Sequence, residues 1–360
     1  MVYDVKALLN HINRIRKEIG HDEIQIDIKE VIFDRDTFEL WIITDDRPDK
    51  SAIIGKGGWV VGRLREELEV KSIHVESYSD FLQKEYRMNL SLNKLDSFVK
   101  TENLDEGPFL ALNNLIDILK IKLDKLYSFN FYNYFKQLDE SPYNYFEAEK
   151  PTAIVALSGG TDSAFSLILA KKLGFNPIAV TVDPGTIVLP KQFKHNVENL
   201  TMELDVKHEY VEVEYGDIIE DAFTGRFHPC GRCSKVIEDT LYAYAIEHDI
   251  PIVIFGDMLA TGSQCINWQE HVDGEGQIHK IIRLNLPASL SVAKLENKSL
   301  TQHYNLKKIK AFGCPLLYEV HKKFPYMKRY SIQRILRETR SGALEPGEAL
   351  DLIWSFYDTG

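Results

Sequence analysis

Ser158-Gly159-Gly160-Thr161-Asp162-Ser163 follows the apolar run Ala153-Ile154-Val155-Ala156-Leu157 and precedes a helix predicted from Ala164 to Leu173. A buried strand feeding a glycine turn at a helix start brings free backbone N–H groups and the positive helix end to one point, which makes a cradle for phosphate. The loop lacks the Gly-Lys-Ser/Thr ending of a Walker A sequence, and the dinucleotide-binding reading fails as well. A second chemical group is Pro229-Cys230-Gly231-Arg232-Cys233-Ser234, ahead of a helix predicted from Lys235 to His248, with Cys314 far downstream in Phe312-Gly313-Cys314-Pro315. Two thiolates separated by two residues can grip one metal, and a helix N-terminus favours the thiolate form. By itself the pair is open between half of a zinc site, a redox pair and a chance spacing. His228, two residues before Cys230, could tune it.

The elements that must position these groups are legible from Pro151 onward. Strands at Ala153 to Leu157, Pro177 to Val182, His208 to Val213 and Pro251 to Phe255 alternate with helices over 164–173, near 190–204 and over 234–248. Such alternation predicts an α/β domain with a parallel, doubly wound sheet, and ligands in that architecture bind beyond the carboxyl ends of the strands. Ser158, Asp183 after Val182, and Gly256-Asp257 after Phe255 all fall there.

Before that domain, residues 4–19 have helical spacing of apolar residues, and Gly20 stops the helix. Strands are expected from Ile24 to Phe33 and from Thr37 to Thr44, then the string Ile53-Ile54-Gly55-Lys56-Gly57-Gly58, a helix from Trp59 to Leu68 and a strand from Ile73 to Glu76. Phe109 to Leu126 reads as a strongly apolar helix that packs between flanking domains. Tyr127 to Phe146 is dense in Tyr and Phe around Ser141-Pro142, a pattern that suits core packing better than a base-stacking platform, and Glu149-Lys150-Pro151 marks entry to the next domain. Four regions result: 1–80, a helical linker over 81–150, the doubly wound domain over 151–300, and a basic helical region over 301–360.

Charge is uneven along the chain. Overall the net charge is −11, which argues against a coat of nucleic acid. Residues 1–80 hold 12 Lys or Arg against 17 Asp or Glu, whereas Thr301 to Arg340 holds ten basic residues, Lys308 and Lys310 among them, against two acids, with Phe324, Tyr326 and Tyr330 interleaved. An apolar content of 44% and a charged content of 27% are those of ordinary globular protein. No stretch has the length of a membrane span and the N-terminus has no basic-then-apolar leader, so a cytoplasmic location is expected. Four cysteines in 360 residues do not make a disulfide framework.

The order SGGxDS between strand and helix resembles the pyrophosphate loop of the PP-loop ATP pyrophosphatase superfamily, whose fold is of the adenine nucleotide α-hydrolase type. The resemblance implies that ATP is split between its α and β phosphates and that AMP activates a substrate oxygen. It implies that Ser158, Gly159, Gly160, Thr161, Asp162 and Ser163 hold pyrophosphate, with Asp162 toward Mg²⁺. By the same resemblance Val182 and Asp183 hold adenosine, and Gly256 and Asp257 face the nucleotide. Met258-Leu259-Ala260 departs from the family's usual form, which has a further His or Asn and paired acids there. With that loop in place, Cys230, Cys233 and Cys314 are similar to the cysteines of PP-loop tRNA-thiolating enzymes of the two-thiocytidine and two-thiouridine groups. This implies a [4Fe-4S] cluster on those three residues and an incidental Cys265. Two other assignments stay open: Cys265 as fourth ligand of a structural Zn²⁺, or Cys230 and Cys233 as persulfide carrier and resolving thiol with no metal.

The N-terminal order resembles a KH domain, in which the loop Gly55-Lys56-Gly57-Gly58 lets RNA backbone approach. Lys322, Lys323, Lys328 and Arg329 are the tail residues expected to track phosphates. Together these features lead to an ATP-dependent tRNA sulfurtransferase, with Asp162, Ser163, Cys230 and Cys233 at the reaction and, as in relatives, a possible homodimer. The alternatives are adenylation of a small molecule, for sulfur insertion or amide or nitrile formation, and a non-enzymatic RNA-binding protein that senses ATP.

Overall fold

The computed structural model describes residues 3–139, 150–307 and 312–357. Ser141-Pro142, Phe146, Glu149, Lys308 and Lys310, all singled out in the sequence, lie outside the described residues. The chain forms two compact units, one of residues up to Tyr86 with Lys125–Phe129, the other of Arg87–Asp124 with the chain from Asn130 onward.

The first unit runs α1 (Val5–Glu18), β1 (Ile28–Asp34), β2 (Glu39–Thr44), α2 (Arg47–Ile54), α3 (Trp59–Leu68) and β3 (Ser72–Ser77). Asp4 caps α1 by accepting from the Ala7 N–H at 3.0 Å. The sheet order is β1-β2-β3, with β1 antiparallel and β3 parallel to β2. Leu8, Ile12 and Ile15 of α1 close over Leu40 and Ile42 of β2, Ile53 of α2 and Val60 and Leu64 of α3. The first strand starts at Ile28 and not at Ile24, because its pairing partner β2 ends opposite Ile28, at Thr44. Gly55 joins α2 to the turn before α3 at φ +71°, and a Cβ there would press on the Val60 side chain, so the turn admits only glycine.

The second unit takes α4 (Tyr78–Thr101) from Arg87 onward, then α5 (Glu106–Asp124) and α6 (Phe131–Asp139). There follow β4 (Thr152–Ala156), α7 (Thr161–Leu173), β5 (Asn176–Asp183), α8 (Lys191–Glu203), β6 (Lys207–Glu212), α9 (Gly216–Ala222), α10 (Pro229–Glu247) and β7 (Ile252–Phe255). A hairpin of β8 (Ile266–Val272) and β9 (Ile278–Asn285) is next, then α11 (Leu286–Ser289), α12 (Lys294–Thr301), α13 (Pro315–Lys323), α14 (Lys328–Arg340) and α15 (Pro346–Trp354). The sheet order is β6-β5-β4-β7-β9-β8, all parallel except β8. The fold is therefore α/β and doubly wound, with one antiparallel edge strand added to the expected parallel sheet.

Buried strands face a helix layer on each side. Ile154, Val180 and Val253 meet Leu241, Tyr242 and Ala245 of α10. Alternate strand residues, Val155, Ala179 and Ile254, point the other way, toward α7. That helix is buried nearly all round. Phe131 of α6 sets its ring edge-on to Phe165 of α7 at 5.1 Å, and Asn114 of α5 donates to the Leu173 carbonyl at 2.9 Å. Among the described residues no helix is long and apolar enough to cross a membrane.

Candidate active site

At the carboxyl end of β4 the chain turns through the serine and glycine loop into α7, which starts at Thr161, three residues before the predicted Ala164. Thr161, Asp162 and Ser163 are therefore the first turn, and no side chain caps it, which leaves its N–H groups for a ligand. Ser163 is buried. Its hydroxyl accepts from the Ser158 N–H at 3.1 Å and donates to the Gly160 carbonyl at 3.0 Å, so it holds the loop's shape. Gly159 sits at φ +75°, and a Cβ there would fall on the Phe193 carbonyl. The Gly159 carbonyl accepts from Asn196 Nδ2 at 3.2 Å, and Asn196 Oδ1 accepts from the Lys307 N–H at 2.9 Å.

Both oxygens of Asp162 are taken. Lys294 Nζ pairs with Oδ2, and Asn297 Nδ2 donates to Oδ1 at 2.7 Å. Lys294 opens α12, where the helix dipole disfavours a cation. Its position is fixed by Glu296, which accepts from the Ala293 N–H at 2.7 Å and pairs with the buried Lys122 of α5 at 2.6 Å. Neither Lys294 nor Asn297 was legible as a site residue, because they meet Asp162 across 132 and 135 positions of chain. The one local signal is a lysine at a helix start.

The strand order reverses between β4 and β7, so this loop lies at the topological switch point. Gly256 follows β7, and a Cβ there would lie 3.0 Å from the Ser163 nitrogen. Asp257 is exposed and accepts from the Leu259 N–H at 2.8 Å. The segment after it is held by the buried Arg87 of α4, which donates to the carbonyls of Met258 and Ser341, each at 2.8 Å. On the other side β5 outlasts β4. Their last ladder pair is Ala156 with Val180, followed by one bond from the Leu157 N–H to the Val180 carbonyl. Main-chain groups alternate sides along a strand, so the N–H and C=O of Val182 face the side where β4 has ended. Asp183 closes the strand, accepting from the Gly185 N–H at 3.0 Å and pairing with Lys194.

The cysteines lie on helix starts. The helix expected from Lys235 begins at Pro229, because proline at the first position costs no hydrogen bond. Cys230 and Cys233 thus stand one turn apart in α10 and not in a preceding loop. Cys314 is the N-cap of α13, which is tied to the loop after β5 by the Leu316 N–H to the Ile187 carbonyl at 2.9 Å. Tyr215, just beyond β6, donates to the Cys233 carbonyl at 3.1 Å and lies 3.4 Å from its Sγ. Since β6 runs parallel to β4 through β5, Tyr215 places Cys233 at the same sheet edge as Ser158.

Burial pushes the Cys230 thiol up to about 11, the nearby Arg334 opposes this, and Cys314 and Cys233 add to it. Burial also raises Cys233, on which Cys314 acts as well. Cys314 therefore lies near enough to act on both thiols of α10. Among the described residues, however, no three His, Cys, Asp or Glu side chains converge into a preformed metal site. Cys265 is fully buried elsewhere, with its Sγ 3.9 Å from the Ser91 carbonyl, and no other cysteine acts on it. The His228 ring meets Tyr330 at 5.6 Å and His321 at 6.2 Å.

Lys56 is exposed in the first unit's glycine loop. Of the tail cations, Lys322 is exposed, Lys323 donates to the Phe223 carbonyl at 3.1 Å, Lys328 donates to the Phe356 carbonyl at 2.5 Å, and Arg329 donates to the Tyr330 hydroxyl at 2.6 Å.

No family model matches the chain. It is similar in fold to three solved structures: the U34-tRNA thiolase NcsA from Methanococcus maripaludis with its [4Fe-4S] cluster (15% identity, TM-score 0.35, 63% of this chain and 78% of that one), NMN synthetase from Francisella tularensis (21%, 0.36, 64% and 94%), and NH3-dependent NAD synthetase from Campylobacter jejuni (16%, 0.31, 71% and 93%). All three likenesses are remote. In sequence it is 32% identical over 160 residues to the uncharacterized protein MJ1599 of Methanocaldococcus jannaschii, covering 44% of this chain and 55% of that protein. It is 34% identical over 205 residues to the uncharacterized protein MJ1638 of the same organism, covering 57% of this chain and 74% of the relative. At that identity over nearly three quarters of the relative's length, the chain belongs to the family of MJ1638.

Proposed function

We propose that this chain is an adenylating enzyme of the PP-loop ATP pyrophosphatase type and that it serves as a tRNA sulfurtransferase in the cytoplasm. The observation that carries the reading is the uncapped start of α7 behind Ser158–Ser163, set beside the Val182 main chain where β5 outlasts β4. One point receives pyrophosphate and the other pairs with the edge of adenine. A pyrimidine carbonyl oxygen is a poor leaving group. Attack of that oxygen on the α phosphate expels pyrophosphate into the loop, and a sulfur nucleophile then displaces AMP from the ring carbon. Ser163 keeps the loop N–H groups aimed inward, and Lys294 and Asn297 fix the Asp162 carboxylate. Gly256 allows the β7 end to close against α7.

Asp162 is the carboxylate that would take Mg²⁺, whose charge would offset that of the phosphates; it fits once one oxygen exchanges its Lys294 or Asn297 partner. Cys230, Cys233 and Cys314 supply a soft donor set, and their half-buried thiols would give up protons on coordination. They would hold a [4Fe-4S] cluster, which would supply a binding place for the sulfur to be transferred. RNA is supported by the KH-like order of the first unit, with its exposed Lys56, and by the exposed cations of α13 and α14. The net acid charge of residues 1–80 favours a second reading, adenylation of a small molecule with the first unit used for assembly.

Protein purified without oxygen should contain iron and acid-labile sulfide that are lost in Cys230→Ala, Cys233→Ala and Cys314→Ala and kept in Cys265→Ala. A colourless protein holding one zinc would reverse the cluster assignment. Bulk tRNA from cells lacking the gene should lack one thionucleoside; an unchanged nucleoside profile would favour the small-molecule reading. Asp162→Ala should abolish pyrophosphate release under either reading.

A further inference from the structure

One face of α14 carries Glu338, near the lysine that pairs with Asp162, and Tyr330, packed beside the start of the cysteine helix. Glu338 is buried and two-headed. Its Oε2 lies 3.9 Å from Lys294 Nζ, the same ammonium that pairs with Asp162, and its Oε1 accepts from Arg334 Nε at 3.3 Å. Arg334 stands one turn before Glu338, and Tyr330 one turn earlier again packs edge-on against His228, two residues ahead of Cys230. Residues four apart share a helix face, so Tyr330, Arg334 and Glu338 form one line with the cysteine helix at one end and Asp162 at the other. The line is anchored where it meets α12: the Lys294 N–H donates to the Ala343 carbonyl at 2.7 Å, and the Ala343 N–H donates to the Glu338 carbonyl at 3.0 Å.

We propose that Glu338 is a positioning residue that couples occupancy of the pyrophosphate loop to the start of α10. This rests on the nucleotide reading above. When a metal-bound nucleotide claims Asp162, Lys294 loses a partner, and the nearest carboxylate left to it is Glu338. A carboxylate drawn toward Lys294 loosens its hold on Arg334, and the guanidinium is then free to settle against the cysteine helix. Binding at one site therefore changes the other through side chains alone, and by linkage the reverse holds with the same free energy.

The test is hydrogen exchange on the full-length, metal-free chain, with and without Mg²⁺ and a non-hydrolysable ATP analogue. In the wild-type protein, exchange should slow in 158–166 and change by about fivefold in 226–236, the low end of ordinary site-to-site coupling. In Glu338→Gln, which keeps the side-chain volume, protection of 158–166 should persist while the change in 226–236 disappears. Arg334→Met, at a largely exposed side chain, should behave the same way. An equal response of 226–236 in both variants, or none in wild type despite protection of 158–166, would overturn the coupling and leave the nucleotide site standing. No protection of 158–166 in wild type would sink the nucleotide reading and this inference with it.

Discussion

Gly159 and Gly57 share a left-handed backbone, at φ +75° and +64°, but not their surroundings. A Cβ at Gly57 meets nothing within 4 Å, whereas one at Gly159 falls on backbone that cannot move aside. Gly57→Ala should cost only the conformational penalty, about 1–2 kcal/mol, read as a shift in urea midpoint. Gly159→Ala adds a steric conflict inside the Ser158–Ser163 loop, so it should lower stability further and, on the proposed reading, reduce pyrophosphate release by at least about 100-fold, the scale of losing one oriented backbone donor. If Gly159→Ala keeps wild-type turnover, the loop is not the phosphate site. Lys294 and Asn297 belong to the same scale: both meet the Asp162 carboxylate, and the Lys122–Glu296 pair ties α12 to α5.

At the scale of elements, the part of α4 from Arg87 onward sets the loop after β7. Arg87 spans Met258 and Ser341, and Ser91 accepts from the Gly262 N–H at 3.1 Å. Arg87→Met should destabilise the protein by about 2–4 kcal/mol, since charged hydrogen bonds to buried carbonyls are lost and the carbonyls left unpaired. Thermal unfolding measures the loss, and faster amide exchange confined to 256–262 would localise it. The parallel strands β4, β5 and β7 were readable as apolar runs because both of their faces are buried. The β8–β9 hairpin was not, since an edge strand such as Asn267-Trp268-Gln269-Glu270-His271 mixes polar residues into its alternation. The α10 start was misplaced because Pro-Cys-Gly-Arg-Cys reads as a loop by composition, although proline also suits a first helical turn. Arg87 gave no signal at all: a lone arginine on a helix looks solvated until its carbonyl partners, more than 170 positions away, are folded onto it.

For the molecule as a whole, a net charge of −11 restricts the RNA contact of the proposed reading to local patches. Lys56→Ala should weaken tRNA binding and reduce the salt dependence of the affinity by about one unit of slope, as for a single phosphate contact. Binding titrations at several salt concentrations measure this, and an unchanged slope would assign the glycine loop a role in assembly. The overhang of β5 beyond β4 has a consequence for heredity. On the proposed reading the base is read by the peptide group at Val182, which every residue but proline supplies. Substitutions that still fill the buried place of the Val182 side chain leave that choice of nucleotide unchanged, whereas a deletion that shortens one strand by two residues would rewrite it in a single step.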